Sequence, residues 1–144
     1  MPEGVGEVQD FMPPSNAGQG EHRHRLIRRV PAVRGQMRFI VEVAPRFDYA
    51  RAGQNVGLTP HGALFSSPDL AFSLSTGYPL EIVDDRDIRA CISLRAGDTA
   101  TFVFEQVTSG ETPLPYSDAD IAAEFEATVA FWRGWLRRSR YSGR

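Results

Sequence analysis

Between Gln36 and Phe47 the apolar residues Met37, Phe39, Val41, Val43 and Phe47 alternate with Gln36, Arg38, Glu42 and Arg46. Side chains of a strand point alternately to its two faces, so this pattern describes a strand with one covered face and one wet face. The alternation returns in "LAFSLST", with Leu70, Phe72 and Leu74 expected inward against Ser73 and Ser75, and in "DIRACISLR", with Ile88, Ala90, Ile92 and Leu94 inward. A further strand, "TATFVFEQV", follows the turn signal Ala96-Gly97-Asp98, while "GEVQDF" and "HRLIRRVPAV" are less regular but rich in strand-forming residues.

Turn chemistry separates these runs at short intervals, in "PPSNAGQG", "VRG", "RAGQNVG", "SSPD", "VDDRD" and "RAGD". Many short, half-wet strands so spaced predict an antiparallel β-sandwich and not a parallel sheet crossed by helices. Pro13 to Glu21, where small polar residues, proline and glycine replace the alternation, is the stretch expected to be disordered. After "SGETPLP" the period becomes helical. Ser117 and Asp120 form a capping signature, Ile121, Phe125, Val129, Trp132 and Leu136 fall on one stripe widened by Phe131 and Trp135, and arginines fill the last turns. Two tryptophans on a stripe of this width suggest a surface built to be covered from both sides.

At 144 residues the chain is about one domain long. Its net charge of -2 gives no pull toward nucleic acid or an anionic membrane, so neither partner is expected. A single cysteine rules out an internal disulfide and, with no signal-like segment at the start, the chain is expected to be cytoplasmic.

Four motifs in order, "GVGEVQDFMP", "HRLIRRV" followed by "VRG", "VAPRFDYAR" and "ATVAFWRGWLRRSRYSGR", strongly resemble bacterial trehalase and glucoamylase-like enzymes of glycoside hydrolase family fifteen. The match runs from about Gly4 to Arg144. The resemblance implies that residues 1–116 are part of the family's N-terminal β-sandwich domain. It implies that residues 117–144 are the linker helix leading to a catalytic (α/α) barrel of paired helices, and that Trp132 and Trp135 contact that barrel. It also implies an interdomain role for Arg46, Asp48 and Tyr49 in "APRFDYAR", the competing reading being a local Arg46–Asp48 ion pair where the strand ends. Family members extend beyond this chain on both sides, so the resemblance further implies a sequence truncated at both ends, and none of the family's catalytic residues maps onto it.

The remaining constellations favour plain readings. Inverting glycoside hydrolysis needs an acid and a base roughly 6.5 to 9.5 Å apart in a sheltered cleft. Asp84, Asp85 and Asp87 instead sit where aspartate favours a turn. His22 and His24 would share a strand face, but His61 is distant and no metal site or cofactor is expected. His22 to Arg29 reads as a charged strand edge, and Cys91, with no base beside it, as an inert thiol.

The expected fold is therefore mainly β, an incomplete antiparallel β-sandwich with a C-terminal amphipathic α-helix. The expected function is that of a non-catalytic N-terminal domain bracing the barrel of an α-glucoside hydrolase. Two other readings stand beside it. One is a free-standing glucan-binding module using Tyr49, Phe65 and Tyr78 as its aromatic platform. The other is self-association through an unpaired strand edge or the uncovered helix.

Overall fold

The computed structural model describes residues 4–14, 24–108, 111 and 114–138. In chain order the strands are β1 (Val5–Gly6), β2 (Gln9–Phe11), β3 (Arg25–Arg34), β4 (Gln36–Val43), β5 (Asn55–Thr59), β6 (Gly62–Ser66), β7 (Ala71–Ser75), β8 (Glu81–Val83), β9 (Asp87–Arg95) and β10 (Thr99–Val107), and the helix α1 (Asp118–Arg138) follows them. Among the described residues the strands form two antiparallel sheets. The larger has seven strands in the order β1-β3-β10-β7-β6-β5, with β2 also paired to β3, and the smaller has three in the order β4-β9-β8.

The two sheets face each other over one core. Ile88, Ala90, Ile92 and Leu94 of β9 meet Val30 and Ala32 of β3, Ala63 and Phe65 of β6, Leu74 of β7, and Ala100 and Phe102 of β10. The alternation in β4 and β9 is as the sequence predicts. Met37, Phe39, Val41 and Val43 turn inward, and the outward side of the small sheet carries Cys91 and the Arg89–Glu42 ion pair at 2.9 Å. The turn reading of "VDDRD" holds as well, since Asp84 and Asp85 take the left-handed φ values of 51° and 55° that a tight hairpin requires.

Three sequence expectations change. Ser73 and Ser75 are buried because the outer face of β7 is not open to water, and Leu70 lies outside the strand and is exposed. The arginine-rich stretch ending at Arg29 is not a strand edge, because β3 runs between β10 on one side and β1 and β2 on the other. Its cations are compensated singly: Arg28 pairs with Asp10 at 2.6 Å, and Arg25 pairs with Glu124 of the helix. The "NVG" of "RAGQNVG", read as a turn, opens strand β5, which is paired with β6 from Asn55–Ser66 to Thr59–Gly62. The segment expected to be disordered lies, beyond Pro14, outside the described residues, as does His22.

The helix packs on the outer face of the seven-stranded sheet, where Ile121 closes a second core with Phe11, Ile27 and Val103, and Phe125 packs beside them. Ser117 caps it as the sequence predicts: the Asp120 N–H donates to the Ser117 hydroxyl at 3.1 Å, and that hydroxyl donates to the Asp120 carboxylate at 2.7 Å. Among the described residues no helix is long and apolar enough to cross a membrane.

Candidate functional site

Residues paired across neighbouring strands point to the same side of a sheet, so the outer face of the large sheet can be followed as a row. From β5 to β2 that row is Thr59, Gly62, Ser75, Val103, Ile27 and Phe11. Half of it is polar or small and half is apolar. The helix covers Val103, Ile27 and Phe11 through Ile121, as burial of apolar surface demands, and leaves Thr59, Gly62 and Ser75 beside its first turn.

The half that the helix does not cover lies along an open groove of about 640 Å³, whose lining also includes His61, Tyr78, Thr101, Val103, Tyr116 and Asp118. Gly62, in this lining, has no room for a side chain. Its φ is +149°, and a Cβ there would lie 1.8 Å from the Leu74 carbonyl oxygen, so any side chain would drive β6 from β7. The Thr59 and Ser75 hydroxyl oxygens are buried here without a hydrogen-bond partner. An orphaned buried hydroxyl costs about 1–3 kcal/mol.

The hydroxyl of Thr76, also in the lining, is engaged. The Thr76 hydroxyl donates to the Thr101 carbonyl at 2.9 Å and accepts from the Tyr78 N–H at 3.4 Å. Burial raises the Tyr78 phenol above its ordinary pKa, and the Asp98 and Asp118 carboxylates add to the shift. Among the described residues that line the groove there is no arginine, although basic residues number 16 in the chain.

The helix is fastened next to this groove by a polar cluster that the sequence reading did not single out. The Tyr116 hydroxyl donates to the Glu105 carboxylate, Arg25 pairs with Glu124, and the Arg25 guanidinium lies 5.8 Å from the Tyr116 ring centre. Burial, and then the hydrogen bond to Glu105, push the Tyr116 pKa up to about 12. Glu105 and Arg25 are directly opposite each other on β10 and β3. The outward phase of β10 would have flagged Glu105 as facing the helix, but its partners come from distant segments.

Farther along, the helix leaves the sheet. Trp132 and Trp135 are 50% and 55% exposed, and Phe131 and Leu136 are exposed beside them. The rings stack edge to face among themselves, Phe131 with Trp132 at 5.2 Å and Trp132 with Trp135 at 6.0 Å between centroids. The apolar stripe therefore does two things: its first part, Ile121 to Thr128, is buried against the sandwich, and its last part forms an aromatic ridge facing solvent.

Arg46, Asp48 and Tyr49 do not converge. Arg46 binds Asp87, not Asp48, through two hydrogen bonds of 2.6 and 2.8 Å. Asp48 binds Arg51 instead, because the backbone turns left-handed over Asp48, Tyr49 and Ala50, with φ of 44°, 56° and 65°. Phe47 is drawn into the inter-sheet core against Phe72, while Tyr49 is thrown outward and is 91% exposed. The aromatic platform considered for a glucan-binding module does not form, since Phe65 is fully buried between the sheets and Tyr78 stacks on Phe102. Asp84 and Asp85 are exposed on their hairpin and Asp87 is held by Arg46, so this trio does not make an acid–base pair in a cleft. His24 and His61 are exposed, and among the described residues no three metal-ligating side chains gather.

Comparison of the chain with protein-family models, curated proteins and solved structures finds no match.

Proposed function

We propose that this chain is a non-catalytic β-sandwich domain that braces the (α/α) barrel of a trehalase- or glucoamylase-like α-glucoside hydrolase, with the C-terminal turns of α1 as the contact. The observation that carries the reading is the ridge of Phe131, Trp132, Trp135 and Leu136, which continues the apolar stripe of the helix beyond the sheet that covers its first half. Aromatic side chains clustered in this way supply most of the energy of protein interfaces, and left in water they are an association liability. The four sequence motifs that resemble family fifteen supply the identity of the partner.

In this reading the sandwich has a mechanical task. The buried turn around Ile121 and the Tyr116–Glu105 and Arg25–Glu124 contacts fix the helix on the sheet, and the ridge is presented at a set angle to the barrel. Chemistry belongs to the barrel. The test has two parts. Purified chain incubated with trehalose or maltose is expected to release no glucose. Mixed with a family fifteen barrel expressed without its own sandwich, it is expected to form a complex in which tryptophan emission moves to shorter wavelength and acrylamide quenching falls. Glucose release by the chain alone, or tryptophans equally quenchable with and without the barrel, would overturn the reading.

A further inference from the structure

We infer that β5 is a self-association edge: a second copy of this chain adds its own β5 antiparallel to the first, across a two-fold axis at Gly57. The pairing uses none of the residues of the aromatic ridge and stands whether or not a barrel covers the tryptophans.

An unpaired strand edge presents N–H and C=O groups that another strand can take up, and proteins usually blunt such edges with charges, proline, bulges, brevity or a covering segment. The other edges of this sandwich are blunted in these ways. β1 and β2 have two and three residues, and β8 has three and carries Glu81. β4 carries Arg38 and Glu42, and Gly4 and Gly6 lie against its Met37 and Phe39. β5 has none of these protections. It ends the large sheet and runs from Asn55 to Thr59 without a charge, a proline or a break in register, and among the described residues no strand pairs with its far side.

The edge is complementary to itself. Thr59 and Gly62 flank a two-residue turn and so form a hydrogen-bonded pair; pairs alternate from there, and Val56 and Leu58 aim their N–H and C=O groups away from β6. Two copies aligned on Gly57 place Val56 of one opposite Leu58 of the other, so that each exchanges its free backbone bonds with the other. Gly57 meets its own counterpart at a non-hydrogen-bonded position, where Cα atoms approach to about 4.5 Å, and it brings no side chain to the axis. Pro60, which has no N–H, ends the ladder.

The side chains agree with this occupant. Val56 and Leu58 stand opposite Phe65 and Ala63, which are buried between the sheets, yet Leu58 is 51% exposed because the sandwich stops there. Ile82 of β8, the strand beside β5 on the same border, is 40% exposed. A second copy lays its Val56 over this Leu58 and shields the open border of the core. On the outer face Asn55 comes opposite Thr59 of the copy, and no like charges are brought together along the strand.

The proposal is tested on the full chain carrying Trp132→Ala, which unloads the ridge as a source of association. In sedimentation velocity a dimer is expected to grow in between about 10 and 500 µM, the weak range of a small interface. A Cβ on Gly57 meets nothing within 4 Å, so Gly57→Lys is expected to fold; it sets two cations across the axis and is expected to weaken the dimer roughly tenfold or more. Gly57→Thr, which adds bulk without charge, is expected to keep the dimer or strengthen it. The register is read with single cysteines in a Cys91→Ser chain under mild oxidation by copper phenanthroline. Gly57→Cys is expected to give a disulfide-linked dimer, while Asn55→Cys, about 14 Å from its counterpart in this register, is not. A chain that stays monomeric throughout the concentration range overturns the proposal. So does a dimer equally strong in Gly57→Lys, or one that cross-links as fast through Asn55→Cys as through Gly57→Cys. An edge that takes up only a foreign peptide gives the first of these results.

Discussion

Arg46 reaches from the end of β4 to Asp87 at the start of β9 and holds its carboxylate with two parallel hydrogen bonds of 2.6 and 2.8 Å. The pair joins the two strands at the end where the chain leaves the small sheet for the left-handed turn at Asp48, Tyr49 and Ala50. Bidentate geometry of this kind is the strongest form of Arg–carboxylate contact.

The Asp87 carboxyl is held below its ordinary pKa, first by the Arg46 hydrogen bonds and then by the charges of Arg46 and Arg86, with partial burial opposing. A depressed folded-state pKa contributes stability above the unfolded value of about 3.9, and that contribution is lost as pH falls through the lower, folded value. Asp87→Asn is expected to be less stable than the parent at pH 7, with the difference shrinking as pH drops below about 4. Urea midpoints at a series of pH values measure it, and a difference independent of pH would argue against the pair as its source.

Tyr116 gives the opposite end of the pH scale. Its raised pKa of about 12 means that its contribution is complete below the ordinary tyrosine value of about 10 and is lost as pH rises to about 12. In an absorbance titration at alkaline pH one phenol is expected to ionise near pH 12, and Tyr116→Phe is expected to remove that step.

Backbone strain at the turn is testable by relieving it. A left-handed conformation costs a residue with a side chain roughly 1–2 kcal/mol, and glycine escapes that cost while adding about 0.4–1 kcal/mol of unfolded-state entropy. Ala50, at φ 65°, is the site for the exchange. Ala50→Gly is expected to stabilise the chain by about 0.5–1 kcal/mol in equilibrium unfolding.

The two halves of the helix stripe are expected to respond differently to truncation. Ile121→Ala removes a side chain that is 1% exposed in the second core, and should cost about 2–5 kcal/mol. Trp132→Ala removes a larger side chain from the open ridge and should change the stability of the isolated chain by no more than about 0.5 kcal/mol. It should also lower any concentration-dependent association seen by sedimentation. A Trp132→Ala loss as large as that of Ile121→Ala would mean that the ridge is covered within the chain itself.

Periodicity carries the half-wet strands and the helix of this chain but not its buried strands. β4 and β9 were legible because one sheet face is wet, and period-two alternation is the direct print of that asymmetry. β6 was not singled out, since Ala63 and Phe65 are buried, Leu64 is half-buried and the strand has no clean wet face. β7 misled for the same reason, its serines being polar yet buried on the side that the helix and groove share. The helix, its Ser117 cap and its stripe were all readable from local spacing. The groove was not, because Thr59, Ser75, Thr101 and Asp118 come from four separate elements and their meaning depends on which hydroxyls end without partners.

Only the first part of α1 is gripped by the sandwich, with Ile121 and Thr128 buried and Trp135 seven residues beyond Thr128. At 1.5 Å per residue that free arm is about 10 Å long, so a tilt of roughly 5° about the gripped turns moves the Trp135 end by about 1 Å while the Asp118 end scarcely shifts. The helix is a lever with its fulcrum beside the groove. Whatever settles on the tryptophans can find its best fit by small rotations of the arm, and the groove stays in register beneath the short end.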